Sequence, residues 1–296
     1  MAWLIAILAL YVAVLAGVAW FSARPFRTPI FLSPGAMGVA QEEISLKTRD
    51  GVTLRGWWVD VPNAPVVAVI AHGYMMNRSE LVPQAVWLAQ RGIACLLLDL
   101  RAHGRSGGKM CGFGYLERAD VRAGIDAARG RCPGAKVILL GSSMGSAAST
   151  FAAAEAPELV DGLVLDSAYS TLLSGMFGWW RFLGGPVLAV VLAPTVLLAL
   201  PMLRVRPRKV DVASALATLK QPVLLLHGDA DDLALPSEAR RNEAAAHQSE
   251  LVWLGGCGHS EGRWIHPDTY FEALDRFLAR VRQAPAGAIK PQATNQ

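Results

Sequence analysis

Apolar and polar positions follow three different rhythms along the chain. Residues 2–21, "AWLIAILALYVAVLAGVAWF", carry no charge at all. At about 1.5 Å per helical residue, about 20 apolar residues cover the roughly 30 Å hydrocarbon core of a bilayer. The segment therefore predicts a transmembrane anchor over residues 1–23. A secretory signal peptide is the competing reading. Its leading region ordinarily carries Lys or Arg, which this one lacks, and cleavage options such as Val14-Leu15-Ala16 fit poorly. Arg24 and Arg27 follow directly. By the positive-inside tendency they place the amino terminus outside and the main domain in the cytoplasm.

From Glu42 the rhythm shortens. "ISLKTRDGVTLRGWWVD" reads as two strands about an Asp50-Gly51 turn. Continuous apolar runs then alternate with segments of helical spacing. The runs are "PVVAVIAHGY", "IACLLLDLRAHGRSGG", "AKVILLGSSMG", "VDGLVLDSAYS", "QPVLLLHGDADD" and "SELVWLGGCGHSEG". The helical segments include "LVPQAVWLAQRG", "YLERADVRAGIDAARG" and, last, the amphipathic "PDTYFEALDRFLARV". Unbroken apolar strands separated by helices predict an α/β fold, a mostly parallel sheet with helices on both faces. Its expected extent is residues 42–283, and the tail 284–296, low in hydrophobics, is expected to be disordered.

One segment breaks this alternation. Residues 182–203 are nearly all apolar and lie between two predicted strands. A single crossing would put those strands on opposite sides of the bilayer. Two crossings need about 40 residues, more than the insert holds. Pro186, Pro194 and Pro201 also oppose one long helix. Residues 171–209 are therefore read as a cap over the sheet edge, its apolar surface covering a pocket, dipping into the bilayer interface, or both. A buried helical hairpin is the plain alternative. Arg204, Arg206, Arg208 and Lys209 suit anionic headgroups on the side of Arg24 and Arg27.

Composition sharpens this picture. Hydrophobic residues make up 53% of the chain and charged residues 18%, against about 25% charged in an average soluble domain, which favours a membrane contact. The net charge of +4 is not gathered into a basic, aromatic-lined groove, so no nucleic-acid partner is expected. Cys95, Cys111, Cys132 and Cys257 lack zinc-ribbon spacing and read as free thiols, although Cys111 and Cys132 are able to pair.

The chemistry centres on "GSSMG", residues 141–145, which fits G-x-S-x-G with Ser143 in the middle. That motif needs a strand leading in and a helix leading out, and "KVILL" and "SAASTFAAAEA" provide them. Small glycines let a strained turn approach its neighbours and lift the Ser143 hydroxyl above the sheet edge. Ser142, one residue earlier, points away into packing or a turn hydrogen bond. A serine hydroxyl needs a base, and the base needs an orienter. "LLLHGDADD" offers Asp229, Asp231 and Asp232, and "GGCGHSEG" offers His259 in a glycine-flanked loop after the last strand. The rivals His72, His103, His227, His247 and His266 lack that setting. A metal site from His227, Asp229, Asp231 and His259 is disfavoured, since the carboxylates sit in a turn and no i,i+4 histidine pair exists. No cofactor is implied. The backbone N–H of Met144, next after the nucleophile, is one donor to a developing oxyanion.

The chain resembles the α/β-hydrolase superfamily. The resemblance covers roughly residues 42–283 and rests on "HGY" at 72–74, "DLRAHGRSGG" at 99–108, "GSSMG" at 141–145, "HGDADDLALP" at 227–236 and "GCGH" at 256–259. It is nearest to membrane-anchored serine hydrolases of the esterase, monoacylglycerol-lipase and lysophospholipase type. The resemblance implies Asp231 as the acid, four residues after the histidine of H-G-x-x-D, with Asp232 second and Asp166 third. The Val-Pro usual in the family is here Ala234-Leu235-Pro236, one residue longer. It also implies Tyr74 as the second oxyanion donor, and His72, His103 and His227 as loop braces. Asp99 and Arg101 are expected to hold loops beneath the site. The implied activity is hydrolysis of a small acyl ester or lipid by Ser143, His259 and Asp231 at a membrane. A thioesterase, a serine peptidase or a non-catalytic membrane lipid- or partner-binding protein of the same fold are the alternatives.

Overall fold

The computed structural model describes residues 1–203 and 205–283; the expected disordered tail 284–296 and Arg204 lie outside them. Eight strands form one sheet: β1 (Glu42–Lys47), β2 (Thr53–Val59), β3 (Val66–Ala71), β4 (Ile93–Asp99), β5 (Lys136–Ser142), β6 (Gly162–Asp166), β7 (Val223–Gly228) and β8 (Ser249–Leu254). Their order is β1-β2-β4-β3-β5-β6-β7-β8. The first two pairings, β1 with β2 and β2 with β4, are antiparallel, and all later ones are parallel.

The helices are α1 (Ala2–Ala23), α2 (Val82–Ala89), α3 (Arg118–Arg131), α4 (Met144–Glu155), α5 (Leu172–Leu192), α6 (Thr195–Leu203), α7 (Val212–Leu216), α8 (Pro236–Ala245), α9 (Gly262–Ile265) and α10 (Pro267–Gln283). They cover both faces of the sheet. Because side chains alternate along a strand, Val67, Val69, Leu139 and Leu165 pack on the face of α3, α4 and α7. Val66, Ala68, Leu140 and Val164 pack on the face of α2 and α10. Burial on both faces explains why the central strands read as unbroken apolar runs. The four cysteines are free, three of them buried and Cys132 half-buried.

The apolar insert is helical, and the strands on either side of it, β6 and β7, are parallel neighbours in the same sheet. One bilayer crossing between them is therefore impossible. Helix α5 is kinked where Gly184 and Gly185 leave helical geometry just before Pro186, and Pro194 falls between α5 and α6. Pro201 departs from expectation, lying within α6. Helix α1 packs along α6. Its Leu15 joins Trp180 and Leu192 in a small apolar cluster, and the Tyr11 hydroxyl donates to the Val191 carbonyl at 2.6 Å. Most of the α1 surface is exposed and apolar.

Candidate active site

Ser143 stands between the end of β5 and the first residue of α4, at φ 51° and ψ −110°. This is a strained backbone for a non-glycine residue, at a cost on the order of 1–3 kcal/mol. Its flanking glycines are steric necessities. A Cβ on Gly141 would lie 2.4 Å from the Gly145 carbonyl carbon, and one on Gly145 would lie 2.0 Å from the Ala71 oxygen. The Ser143 N–H donates to the Asp166 carbonyl at 2.8 Å, and Ser146 Oγ donates to the carbonyls of Gly141 and Asp166. The strained turn is thereby held from both sides.

His259 lies in the loop after β8. Asp229 braces that loop by accepting the Gly256 N–H at 2.6 Å, and Glu261 accepts the Gly258 N–H at 2.8 Å. The imidazole bridges two of the expected partners. Its Nε2 is 2.8 Å from Ser143 Oγ and its Nδ1 is 2.8 Å from Asp231 Oδ2. Both bonds form when Nδ1 carries the proton, so that the Ser143 hydroxyl donates to Nε2. The other carboxylate oxygen of Asp231 accepts the N–H groups of Leu233 and Ala234 at 2.9 and 2.8 Å. The longer Ala234-Leu235-Pro236 stretch leaves this clamp intact and starts α8 at Pro236.

The competing candidates are engaged elsewhere. The side chain of Asp232 is exposed. Asp166 is buried, accepting from the Tyr270 and Ser167 hydroxyls, and burial raises its pKa above the ordinary carboxylate range. His72 Nε2 accepts the Leu100 N–H, His103 Nε2 accepts the Met75 N–H, and His227 Nε2 bonds the Ala234 carbonyl. His247 and His266 bond the carbonyls of Ala217 and Gly255. Asp99 accepts the N–H groups of Arg78 and Arg105. Arg101 pairs with Asp120 and Asp50, so these residues do join loops below the site.

Ser143 and His259 open into a cavity of about 410 Å³. Phe113, Tyr169, Trp179, Phe182 and Leu233 form its apolar side. The N–H of Met144, first in α4, has no intrahelical acceptor, and among the described residues neither it nor the Tyr74 N–H donates to any acceptor. Both residues line the cavity.

Glu80 is a contact that no motif announces. Its buried carboxylate accepts the Gly73 N–H at 2.6 Å and the Ser142 hydroxyl at 2.8 Å, tying the "HGY" loop to the Ser143 turn. Ser142 thus has the hydrogen-bonding role expected of it. Nothing in "MMNRSELVP" signals this, since Ser142 lies 62 residues further along the chain.

A serine turn after β5, an acid after β7 and a histidine after β8 meet at one rim of the sheet, and the profile of the serine aminopeptidase S33 family matches residues 62–213. The chain belongs to that family. Membership in S33 makes it a hydrolase by class, built on the α/β-hydrolase fold. An uncharacterized protein of Mycobacterium tuberculosis is 26% identical over 256 residues, covering 84% of this chain and 83% of the relative. A solved esterase of Pyrococcus furiosus is 25% identical, covering 88% of this S33 chain and 98% of its own, with a TM-score of 0.73. A membrane phospholipase A, described as a bacterial virulence factor, shares the fold at 19% identity, 96% and 100% coverage and a TM-score of 0.62.

Proposed function

We propose that this protein is a serine hydrolase that cleaves carboxylic esters with lipid-like acyl chains at a membrane. The observation that carries the reading is the unbroken contact Ser143–His259–Asp231, 2.8 Å at each link, at the mouth of an apolar cavity. His259 takes the Ser143 proton as the hydroxyl oxygen attacks the acyl carbon, and returns it to the departing alcohol. Asp231 holds the imidazole in the Nδ1–H tautomer and stabilises the imidazolium. The N–H groups of Met144 and Tyr74 receive the oxyanion, each donor lowering the barrier by about 3 kcal/mol. Water, activated by His259 in turn, then releases the acid from the acyl-enzyme. The likeness to the P. furiosus esterase supports an ester substrate. The exposed apolar surface of α1 supports a single-pass anchor, with the hydrolase domain in the cytoplasm and residues 171–209 acting as a cap.

A fluorophosphonate probe on the full-length protein tests this reading. Wild type is expected to label and to hydrolyse p-nitrophenyl esters. Ser143→Ala is expected to lose labelling and about 10⁶-fold in kcat, as in serine hydrolases whose nucleophile is removed. Ser142→Ala retains labelling. Full labelling in Ser143→Ala, or turnover of amides in preference to esters, overturns the assignment of nucleophile or substrate respectively.

A further inference from the structure

The last turn of α1 is built into the hydrolase domain. Ala19, Ser22 and Ala23 are buried there while the rest of the helix is largely exposed. The final carbonyls of a helix lack intrahelical donors, and here the domain supplies two. The Tyr74 hydroxyl donates to the Ser22 carbonyl at 3.0 Å, and the Cys111 N–H donates to the Ala23 carbonyl at 2.8 Å. The chain leaving α1 stays pinned to the same region. Arg27 donates to the carbonyls of His103, Gly104, Ser106 and Gly108. Asn77 donates to those of Thr28 and Pro29.

Tyr74 is the residue where this docking meets the reaction. Its neighbours in sequence are both fixed through their N–H groups, Gly73 on Glu80 and Met75 on His103. Its own N–H donates to no acceptor among the described residues, and Tyr74 lines the cavity. Its ring lies on Phe113 with centroids 5.1 Å apart and meets the edge of Trp179 from α5, also at 5.1 Å. Helix α5 in turn packs on α1 through the cluster of Leu15, Trp180 and Leu192.

We infer that the Tyr74 side chain is a positioning residue: through the Ser22 carbonyl, the seating of α1 sets the aim of the Tyr74 N–H at the oxyanion. The inference rests on the serine-hydrolase reading above. A useful oxyanion donor lies 2.7–3.1 Å from the developing charge, and misplacement of about 1 Å weakens it severely. The apolar helix is then a working part of the catalytic device as well as an anchor.

The test uses full-length protein in detergent micelles. Tyr74→Phe keeps the ring contacts and removes only the hydroxyl. Losing an oxyanion donor outright lowers kcat about 10²–10³-fold, so a displaced donor is expected to lower it about 10-fold, with KM within twofold. The Ki of a boronic acid that forms a tetrahedral adduct on Ser143 is expected to rise by the same factor. Ala23→Trp, which wedges the helix end off the domain, is expected to lower kcat similarly. The double variant is expected to be no worse than the poorer single one, because both break one connection. A Tyr74→Phe enzyme with kcat and Ki within twofold of wild type overturns the inference, as do effects that multiply in the double variant. Should Ala23→Trp fail to fold, the joint change of kcat and Ki in Tyr74→Phe decides. Ser143→Ala separates the two levels: activity surviving there sinks the serine-hydrolase reading itself, whereas an inactive Ser143→Ala beside an unaffected Tyr74→Phe sinks only the role of the helix.

Discussion

The two sides of the cavity are held by different forces. On the strand-end side, hydrogen bonds hold Ser143, His259 and Asp231. Asp231 takes two backbone N–H groups and His259, Ser143 is tied to the Asp166 carbonyl, and Glu80 joins the loop of Gly73 to Ser142. On the helical side, α1, α5 and α6 meet almost entirely through apolar contact. Among the described residues the buried faces of these helices hold no titratable group, and the Trp180 indole N–H and Thr195 hydroxyl are buried without hydrogen-bond partners. Outward, Val187, Val190 and Leu197 are each more than 70% exposed, an apolar surface that water alone does not favour. Directional bonds fix atoms to within tenths of an ångström, which bond-making chemistry needs. Apolar packing tolerates sliding, which suits the reception of a flexible chain.

The largest effect that would break this comparison lies on the strand-end side. Asp231→Asn keeps an oxygen for Leu233 and Ala234 but favours the wrong His259 tautomer. A drop of about 10⁴-fold in kcat is expected, as for a triad aspartate made asparagine, with thermal stability nearly unchanged. A loss below tenfold in ester turnover assays would move the acid to another carboxylate and remove the rationale for the clamp.

How far each side could be read from sequence follows from the same difference. Strand, glycine turn and helix are local, so "GSSMG" disclosed both the turn and its serine. "HGDADD" and "GCGH" pointed to Asp231 and His259 because each motif sits at a strand end, and strand ends of a parallel sheet share one rim. Which of Asp229, Asp231 and Asp232 faced His259 came only through resemblance, since the choice turns on a few ångströms of loop path. Glu80 was illegible because its partner Ser142 comes from a segment 62 residues away. The insert was legible as apolar and as unable to cross the bilayer alone. Its packing against α1 was not, because apolar contact leaves no positional mark in either segment.

Acid sharpens the contrast next. Burial, then the neighbouring His72, holds the His103 pKa down at about 3, from 6.5 for a free imidazole, and burial lowers His72 as well. Between those values the unfolded chain binds a proton that folded His103 declines. Its contribution to stability is therefore complete above pH 6.5 and shrinks as pH falls towards 3, by up to about 1.4 kcal/mol per pH unit. His103→Gln keeps an oxygen to accept the Met75 N–H. Its unfolding free energy, measured by urea titration from pH 6.5 to 5, is expected to slope less steeply than wild type by about that amount. Equal slopes would show that the loop is not the acid-sensitive part.

The smallest expected effect belongs to the helical side. Phe182 lines the cavity, lies half-exposed and stacks on Trp179 at 6.0 Å, while no polar contact joins it to Ser143, His259 or Asp231. Phe182→Ala removes apolar wall from the far part of an acyl chain and leaves the reacting atoms alone. At about 0.8 kcal/mol per buried methylene, losing cover over two methylenes lowers kcat/KM for octanoyl and decanoyl p-nitrophenyl esters about 10-fold. The acetyl ester, too short to reach that wall, is expected to stay within twofold of wild type. Equal losses on acetyl and decanoyl esters would mean that Phe182 supports the clamped side after all, and the division between a rim that reacts and a cover that receives would fail.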